Sequence, residues 1–255
     1  MLSYQHAYHA GGLSDLHKHA ALAALLDHLT RLERPLAIAE THAGRGLYDL
    51  RAPEALKTRE AWPGFVRLFS QKKLPTEHPF MQAVAAVHKS HGIRTYPGSP
   101  AIIRHFMRPE DEADLYELHP QEYEALSSEF AGGNIRCHRE DGYDGVLALA
   151  RRLDGPGLVM IDPSYEVKRE YDDVAAFVPK LNARWPEATV LVWYPVLEAG
   201  LHKAMIERLD DAGLTGVWQQ EKRFPAEQSP RLRGSGLYAV NVPDGERARL
   251  ARGIL

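Results

Sequence analysis

The run Gly157-Leu158-Val159-Met160-Ile161-Asp162-Pro163-Ser164-Tyr165 follows a glycine with four apolar residues and then stops at an acid, a proline, a serine and an aromatic ring. A short unbroken apolar run bounded by a turn signal predicts a strand buried on both faces, as in the middle of a parallel sheet. Ligands of such sheets bind beyond the carboxyl ends of the strands. The tetrapeptide Asp162 to Tyr165 therefore stands where chemistry is expected, and its residues suit a flat base bearing an exocyclic amine. The Asp162 carboxylate and the Pro163 carbonyl can each accept a hydrogen bond from the amine, and Tyr165 can stack on a base swung out to reach them. Two acceptors favour rehybridisation of a nitrogen whose lone pair is otherwise delocalised into the ring, which activates it towards a methyl cation donor. Taken alone, a strand end with an ordinary Asp-Pro turn explains the same four residues.

With 255 residues, 44% hydrophobic and 25% charged, the chain has the length for one sizeable α/β core carrying an insert. Its formal charge of -3 argues against coating nucleic acid by bulk electrostatics and still allows a nucleic-acid enzyme with local positive charge. Cys137 stands alone, which excludes an internal disulfide and fits a reducing compartment. The first twelve residues hold no Lys or Arg and no apolar core, and no run approaches the roughly 18 apolar residues of a membrane span. A cytoplasmic protein without a membrane segment, monomeric by default, is the expectation.

Towards the amino terminus, Leu36 to Glu40 reads as a second buried strand, and Thr41-His42-Ala43-Gly44-Arg45-Gly46 follows at once. Glycines two apart after a strand let backbone N–H groups approach a ligand, although the third glycine of a dinucleotide fingerprint is missing. Ahead of that strand, Leu22, Leu25, Leu26, Leu29 and Leu32 recur at helical spacing, with Ser14 as the expected cap and Arg34-Pro35 as the stop. His19 continues the buried stripe, so the start of this helix should face something polar. His6, His9, His17, His19 and His42 crowd the region, yet none forms the i, i+4 pair with a carboxylate that marks a zinc hydrolase, and no metal is expected.

Two helices over Thr58–Ser70 and Pro79–Ser90 exceed what a βαβ crossover needs and predict an inserted helical subdomain over 50–92 within a single domain of 1–255. Lys72, Lys73, His88, Lys89, His91 and Arg94 give the insert local positive charge, which suits a solvated face or an RNA-backbone surface. Beyond it, Ser99 reads as a helix N-cap with Pro100 at the first helical position. The strand Ala113–His119 ends in Glu117 before Pro120, a position from which a Rossmann-like sheet holds ribose hydroxyls. Asp141-Gly142 follows the strand Asn134–Arg139, and Asp141 suits either an adenine amine or the N-cap of the helix Tyr143–Leu153. Past the strand Ala188–Pro195 and the helix Glu198–Ala212, the strands Gly216–Arg223 and Gly236–Val242 have no long helix between them and should pair antiparallel. Their connecting loop carries Arg231 and Arg233.

Successive β/α units closing in an antiparallel hairpin, with acids at the strand tips and a glycine turn after the first strand, resemble the seven-stranded Rossmann-like fold of S-adenosylmethionine-dependent methyltransferases. The tetrapeptide Asp162 to Tyr165 is similar to the Asp/Asn-Pro-Pro-Tyr/Phe pattern of the amino-group methyltransferases. Tyr4, His6, His9, Asp15 and Lys18-His19 resemble, in order, the amino terminus of bacterial large-subunit ribosomal RNA adenine-N6 methyltransferases of the RlmJ type. So do Thr41-His42-Ala43-Gly44, Tyr96-Pro97-Gly98-Ser99-Pro100, Glu117-Leu118-His119-Pro120, Asp141-Gly142 and Trp193-Tyr194-Pro195.

That resemblance implies an S-adenosylmethionine site lined by Lys18, His19, His42, Ser99, Glu117, Asp141, Gly142 and Asp162. Lys18 would partner the cofactor carboxylate, Glu117 the ribose and Asp141 the adenine edge. Asp162, Pro163 and Tyr165 would act on the target adenine, and Tyr4, His6, His9 and Tyr165 would meet the RNA. The implied partner is 23S ribosomal RNA, free or in an early assembly intermediate, with no metal required. One departure stands in the motif itself: Ser164 replaces the second proline, which keeps both acceptors and loosens Tyr165. A DNA adenine-N6 methyltransferase, a histidine-based metal hydrolase on the same sheet and a catalytically silent RNA- or cofactor-binding protein are the other readings.

Overall fold

Gly157–Ile161 is a strand buried at every position, and it lies in the middle of a seven-stranded sheet. The computed structural model describes residues 5–225, 227 and 232–253; Tyr4 and Arg231 fall outside them. In chain order the strands are β1 (Ala37–Glu40), β2 (Leu47–Asp49), β3 (Thr95–Pro97), β4 (Glu112–Tyr116) and β5 (Ile135–His138). They continue with β6 (Gly157–Ile161), β7 (Ala188–Val196), β8 (Trp218–Arg223) and β9 (Gly234–Val240). Helices are α1 (Leu13–Leu29), α2 (Pro53–Thr58), α3 (Arg67–Ser70), α4 (Pro79–His91), α5 (Ser99–Phe106), α6 (Pro120–Phe130), α7 (Gly142–Leu149), α8 (Arg169–Arg184), α9 (His202–Asp210) and α10 (Glu246–Arg252).

The sheet runs β5-β4-β1-β6-β7-β9-β8, parallel from β5 to β7 and antiparallel at β9 and β8, so the predicted closing hairpin is present. β1 pairs with β4 on one side and β6 on the other, so successive crossovers leave it in opposite directions and open a crevice beyond its carboxyl end. Apolar side chains fill both faces. One cluster joins Leu22, Leu25 and Leu26 of α1 to Ile102 and Ile103 of α5; the other joins Val146 of α7, Val174, Val178 and Leu181 of α8 and Met205 of α9. α1 differs from the single buried stripe that its leucines suggest, because Asp15, His17, Lys18 and His19 are buried as well. A helix covered on nearly all sides must satisfy those polar groups internally: His17 does so against Ser235 and Gln220 of the closing hairpin, and Asp15, Lys18 and His19 do so around the site.

The insert departs from the two-helix expectation. The predicted helix over 58–70 is broken: α2 ends where Arg59 turns left-handed at φ 58, and Gly64 at φ −88, ψ −115 interrupts the turn Trp62–Val66 before α3. Pro63, inside that turn, has no N–H to offer a helix. An antiparallel ribbon, β2 on β3, ties the base of the insert, with Leu47 opposite Pro97 and Asp49 opposite Thr95. Phe65, Phe80 and Val84 bury into the same cluster as the leucines of α1, and the Phe65 N–H donates to the Gly11 carbonyl at 2.9 Å. Two expected caps also move: Gly12 rather than Ser14 caps α1, and Gly98 rather than Ser99 caps α5. Each of those serines then lies inside a helix, and the Ser99 hydroxyl is free to reach a buried acid.

Candidate active site

A cavity of about 260 Å³ opens at the carboxyl ends of β1, β4 and β6, and it is lined by Lys18, His19, His42, Ser99, Glu117, Asp141, Gly142 and Asp162. All eight residues implied for the cofactor are thus brought together, although they are spread from 18 to 162 along the chain. His6 lies on the same wall. His9 is absent from the lining and pairs with Glu60 of the insert at 2.9 Å. Burial there opposes a charge on the His9 ring, but the hydrogen bond and charge of Glu60 prevail and raise its pKa.

The first turns of α1 hold the densest electrostatics. Lys18 Nζ lies 2.5 Å from Asp162 Oδ2 and 3.0 Å from Asp15 Oδ1. Asp15 Oδ2 meets His6 Nε2 at 3.0 Å and accepts from the Gly11 N–H at 2.8 Å. Burial alone would push the Asp15 carboxyl up, yet the charges of His6 and Lys18 hold it well below the usual carboxylate range. In this structure Lys18 therefore serves the carboxylates of the site. His19 and His42 are neutral: burial drops their pKa values to about 3 and about 4. His19 Nδ1 sits 2.9 Å from the Tyr96 hydroxyl, and His42 Nδ1 sits 2.7 Å from that of Thr41.

The turn after β1 is shaped by glycine. Gly44 and Gly46 adopt φ of 60 and 80, and the Gly44 N–H donates to Glu117 Oε2 at 2.8 Å while the His119 N–H donates to Oε1 at 2.7 Å. Glu117 is pinned by two backbone donors, with burial raising its pKa and those donors opposing the rise. Arg45 clamps the turn to α6 through a two-pronged bond to Glu122 at 2.9 and 2.6 Å. Asp141 caps α7, accepting from the N–H groups of Tyr143 at 2.9 Å and Asp144 at 3.2 Å. The N-cap reading is thus observed, and Asp141 also borders the cavity.

A family model described as ribosomal RNA large subunit methyltransferase D, RlmJ, matches residues 33–250. The chain belongs to the RlmJ family of ribosomal RNA large subunit methyltransferases. Ribosomal RNA large subunit methyltransferase J of Escherichia coli (strain K12) is 33% identical over 246 residues, covering 95% of this chain and 88% of that protein. The protein of the same name from Haemophilus influenzae is 33% identical over 249 residues, with the same two coverages. A crystal structure of a Legionella pneumophila protein is similar at TM-score 0.85 and 28% identity, covering 96% of this chain and 91% of that one.

The cofactor of this RlmJ-family methyltransferase is S-adenosylmethionine, and the donor set fits it. Two polar atoms on the cavity wall, the Tyr143 hydroxyl and His119 Nδ1, are buried without a partner in the protein. A Cβ at Gly142 would come 2.1 Å from the Thr41 carbonyl oxygen, so only glycine lets the start of α7 close against the turn after β1. Among the described residues, no group of three His, Cys, Asp or Glu side chains is arranged to hold a metal ion.

Within the motif that marks the family's chemistry, the four residues divide. Asp162 and Ser164 face the cavity, whereas Pro163 and Tyr165 are not part of its lining. Tyr165 is 7% exposed at a left-handed φ of 54; its hydroxyl donates to the Trp193 carbonyl at 2.8 Å and its ring packs on Tyr171. Ser164, in place of the expected proline, accepts from the Glu166 N–H at 3.3 Å and reaches the Glu170 carboxylate at 3.2 Å. The turn therefore has a tie to α8 that proline could not make, and the loosening expected from serine is offset.

Sequence reading passed over Glu40. It sits at the tip of β1, fully buried, with Oε1 accepting from the Ser99 hydroxyl and Oε2 without a partner. Burial raises its pKa to about 8, with the Ser99 bond opposing and the Asp162 charge adding to the rise. An acid closing an apolar run was the available signal, the same one that singled out Asp162. Tyr48 also lines the wall, its ring edge-on to His6 at 5.2 Å.

Proposed function

We propose that this enzyme methylates the N6 amine of an adenine in 23S ribosomal RNA, using S-adenosylmethionine. The observation that carries the reading is the Asp162 carboxylate, which borders the cofactor cavity with Oδ2 on Lys18 and, among the described residues, no hydrogen bond to Oδ1. When bound, S-adenosylmethionine supplies an electrophilic methyl group on a sulfonium. Asp162 Oδ1 accepts one N6 hydrogen and the Pro163 carbonyl the other, which releases the nitrogen lone pair from the ring. A new N–C bond forms as the S–C bond breaks, and the surplus proton on nitrogen leaves to Asp162 or to water. Lys18 orients Asp162, so most of the rate comes from positioning and fixed charge.

Glu117 and Asp141 hold the ribose and the adenine of the cofactor, while the neutral rings of His19 and His42 shape its wall without adding charge. Tyr165 secures the turn from behind by its bond to Trp193, and Tyr4, His6 and His9 serve the RNA side. Protein-free RNA or an early assembly intermediate is the substrate, and the enzyme works as a monomer in the cytoplasm. Among the described residues, no helix is long and apolar enough to cross a membrane. Parallel assays on large-subunit ribosomal RNA and on adenine-containing duplex DNA test the reading. Methyl transfer to the RNA alone is expected, and transfer to DNA alone would overturn it.

A further inference from the structure

β7 runs four residues past the end of β6, because Ile161 lies opposite Val192 while Val196 still pairs with Gly234. At ~3.3 Å per residue this carries the end of β7 about 13 Å beyond the level of Ile161, on the edge of the sheet that bears Asp162. A second cavity, of about 470 Å³, opens there between α9 and the β8–β9 hairpin. Lys203, Arg223 and Arg233 line it, so three cations converge in a chain whose formal charge is -3. His202 lines it too, as the first residue of α9.

From these groups we infer that the cavity binds a backbone phosphate of the substrate RNA; the inference rests on the RNA reading above and extends it to a second contact. First-turn N–H groups of a helix have no acceptor within the helix and attract anions. The His202 ring supports this independently: it is 4% exposed, stacks on Tyr194 with centroids 5.4 Å apart, and its buried Nδ1 has no partner. Burial lowers its pKa, with Arg223 and Lys203 adding to the fall and Glu221 opposing it.

One carboxylate, Glu198, lines the cavity, and a second, Glu221, pairs with two of its lining residues. Glu198, 85% exposed, lies 3.2 Å from Arg233, and Glu221 lies 3.3 Å from both Arg223 and His202. Exposed pairs of this kind are weak in water, so Arg233 can exchange Glu198 for a phosphate at little cost. A phosphodiester suits the site better than a free anion because the cavity shares an edge of the sheet with the methyl-transfer site, and a polynucleotide can reach both at once. Arg is the residue that grips phosphate with two donors in a fixed plane.

Filter binding of labelled protein-free large-subunit ribosomal RNA, measured against salt, tests the site together with steady-state methylation. Arg223→Glu and Arg233→Glu should each weaken RNA binding about tenfold and lower the salt slope by about 1. The same variants should raise KM for RNA while kcat and S-adenosylmethionine affinity hold, and Arg223→Lys should recover most of the binding. Arg184→Glu makes an equal change of net charge at the end of α8, next to the start of β7, and should bind RNA as the wild type does. A wild-type slope in both hairpin variants, with methylation by the unaltered enzyme intact, would overturn the phosphate site and leave the RNA reading standing. Failure of the unaltered enzyme to bind or methylate this RNA would overturn both.

Discussion

Lys18 joins Asp15, three residues before it, to Asp162, 144 residues after it, with its side chain 3% exposed and the two carboxylates 1% and 12% exposed. A buried charge is tolerable only when paired and hydrogen-bonded, and this cation has a carboxylate on either side. The pairing links the first turn of α1, which is local structure, to the tip of β6, which is the site.

Lys18→Met should therefore lower stability by about 3–5 kcal/mol, since it leaves Asp15 and Asp162 facing each other without a cation. Equilibrium urea unfolding measures the loss. A variant as stable as the wild type would show that the pair contributes nothing net to the fold.

Burial raises the Glu40 pKa from the ordinary carboxyl value of 4.5 to about 8. A folded pKa raised above the unfolded one gives stability that is fully present below the unfolded value and is lost as pH rises through the folded value. Wild-type stability should accordingly decline from about pH 5 to about pH 8 by this group's share, and Glu40→Gln should flatten that decline. Urea midpoints across this range decide the point; an unaltered pH profile in the variant would contradict a protonated Glu40.

Gly142→Ala would press a methyl group against the Thr41 carbonyl and push the start of α7 away from the turn after β1. Isothermal calorimetry should show S-adenosylmethionine affinity reduced by about tenfold or more, the consequence of misplacing Asp141 by a fraction of an ångström. Unchanged affinity would mean that α7 does not help to hold the cofactor.

Tyr165→Phe removes the hydroxyl that donates to Trp193 and should cost about 1 kcal/mol of stability. Methylation should fall only a few fold, because the ring that fills the space remains, whereas Tyr165→Ala should lower kcat much further. Equal kcat in the two variants would contradict a positioning role for the ring.

Much of this was legible from short-range signals. Short apolar runs located β1 and β6, strands with acidic tips located β4 and β5, and the missing helix between the last two strands gave the hairpin. What escaped depended on contacts made after folding. Pro63-Gly64 was a local breaker signal that the helical reading of 58–70 overlooked, but nothing local announces that Gly64 will seat its backbone against Gly11 and Gly12, or that Leu47–Asp49 will find Thr95–Pro97 to make a ribbon. Ser99 carried a capping signal but stands one residue inside its helix, where its hydroxyl meets Glu40 instead. Tyr165 and Lys18 show the same limit at the site. A role for Tyr165 was suggested by the tetrapeptide and one for Lys18 by the family resemblance, but the direction in which each points was set by partners far along the chain, Trp193 and Asp162.

The central claim is transfer of a methyl group to N6 of adenine at Asp162. Its most direct test incubates the enzyme and Asp162→Ala with labelled S-adenosylmethionine and protein-free large-subunit ribosomal RNA from cells lacking the enzyme, followed by nucleoside analysis. The account predicts labelled N6-methyladenosine with the wild type and a rate at least ~100-fold lower with a folded Asp162→Ala. Label in any other nucleoside, or turnover retained without the Asp162 carboxylate, would contradict it.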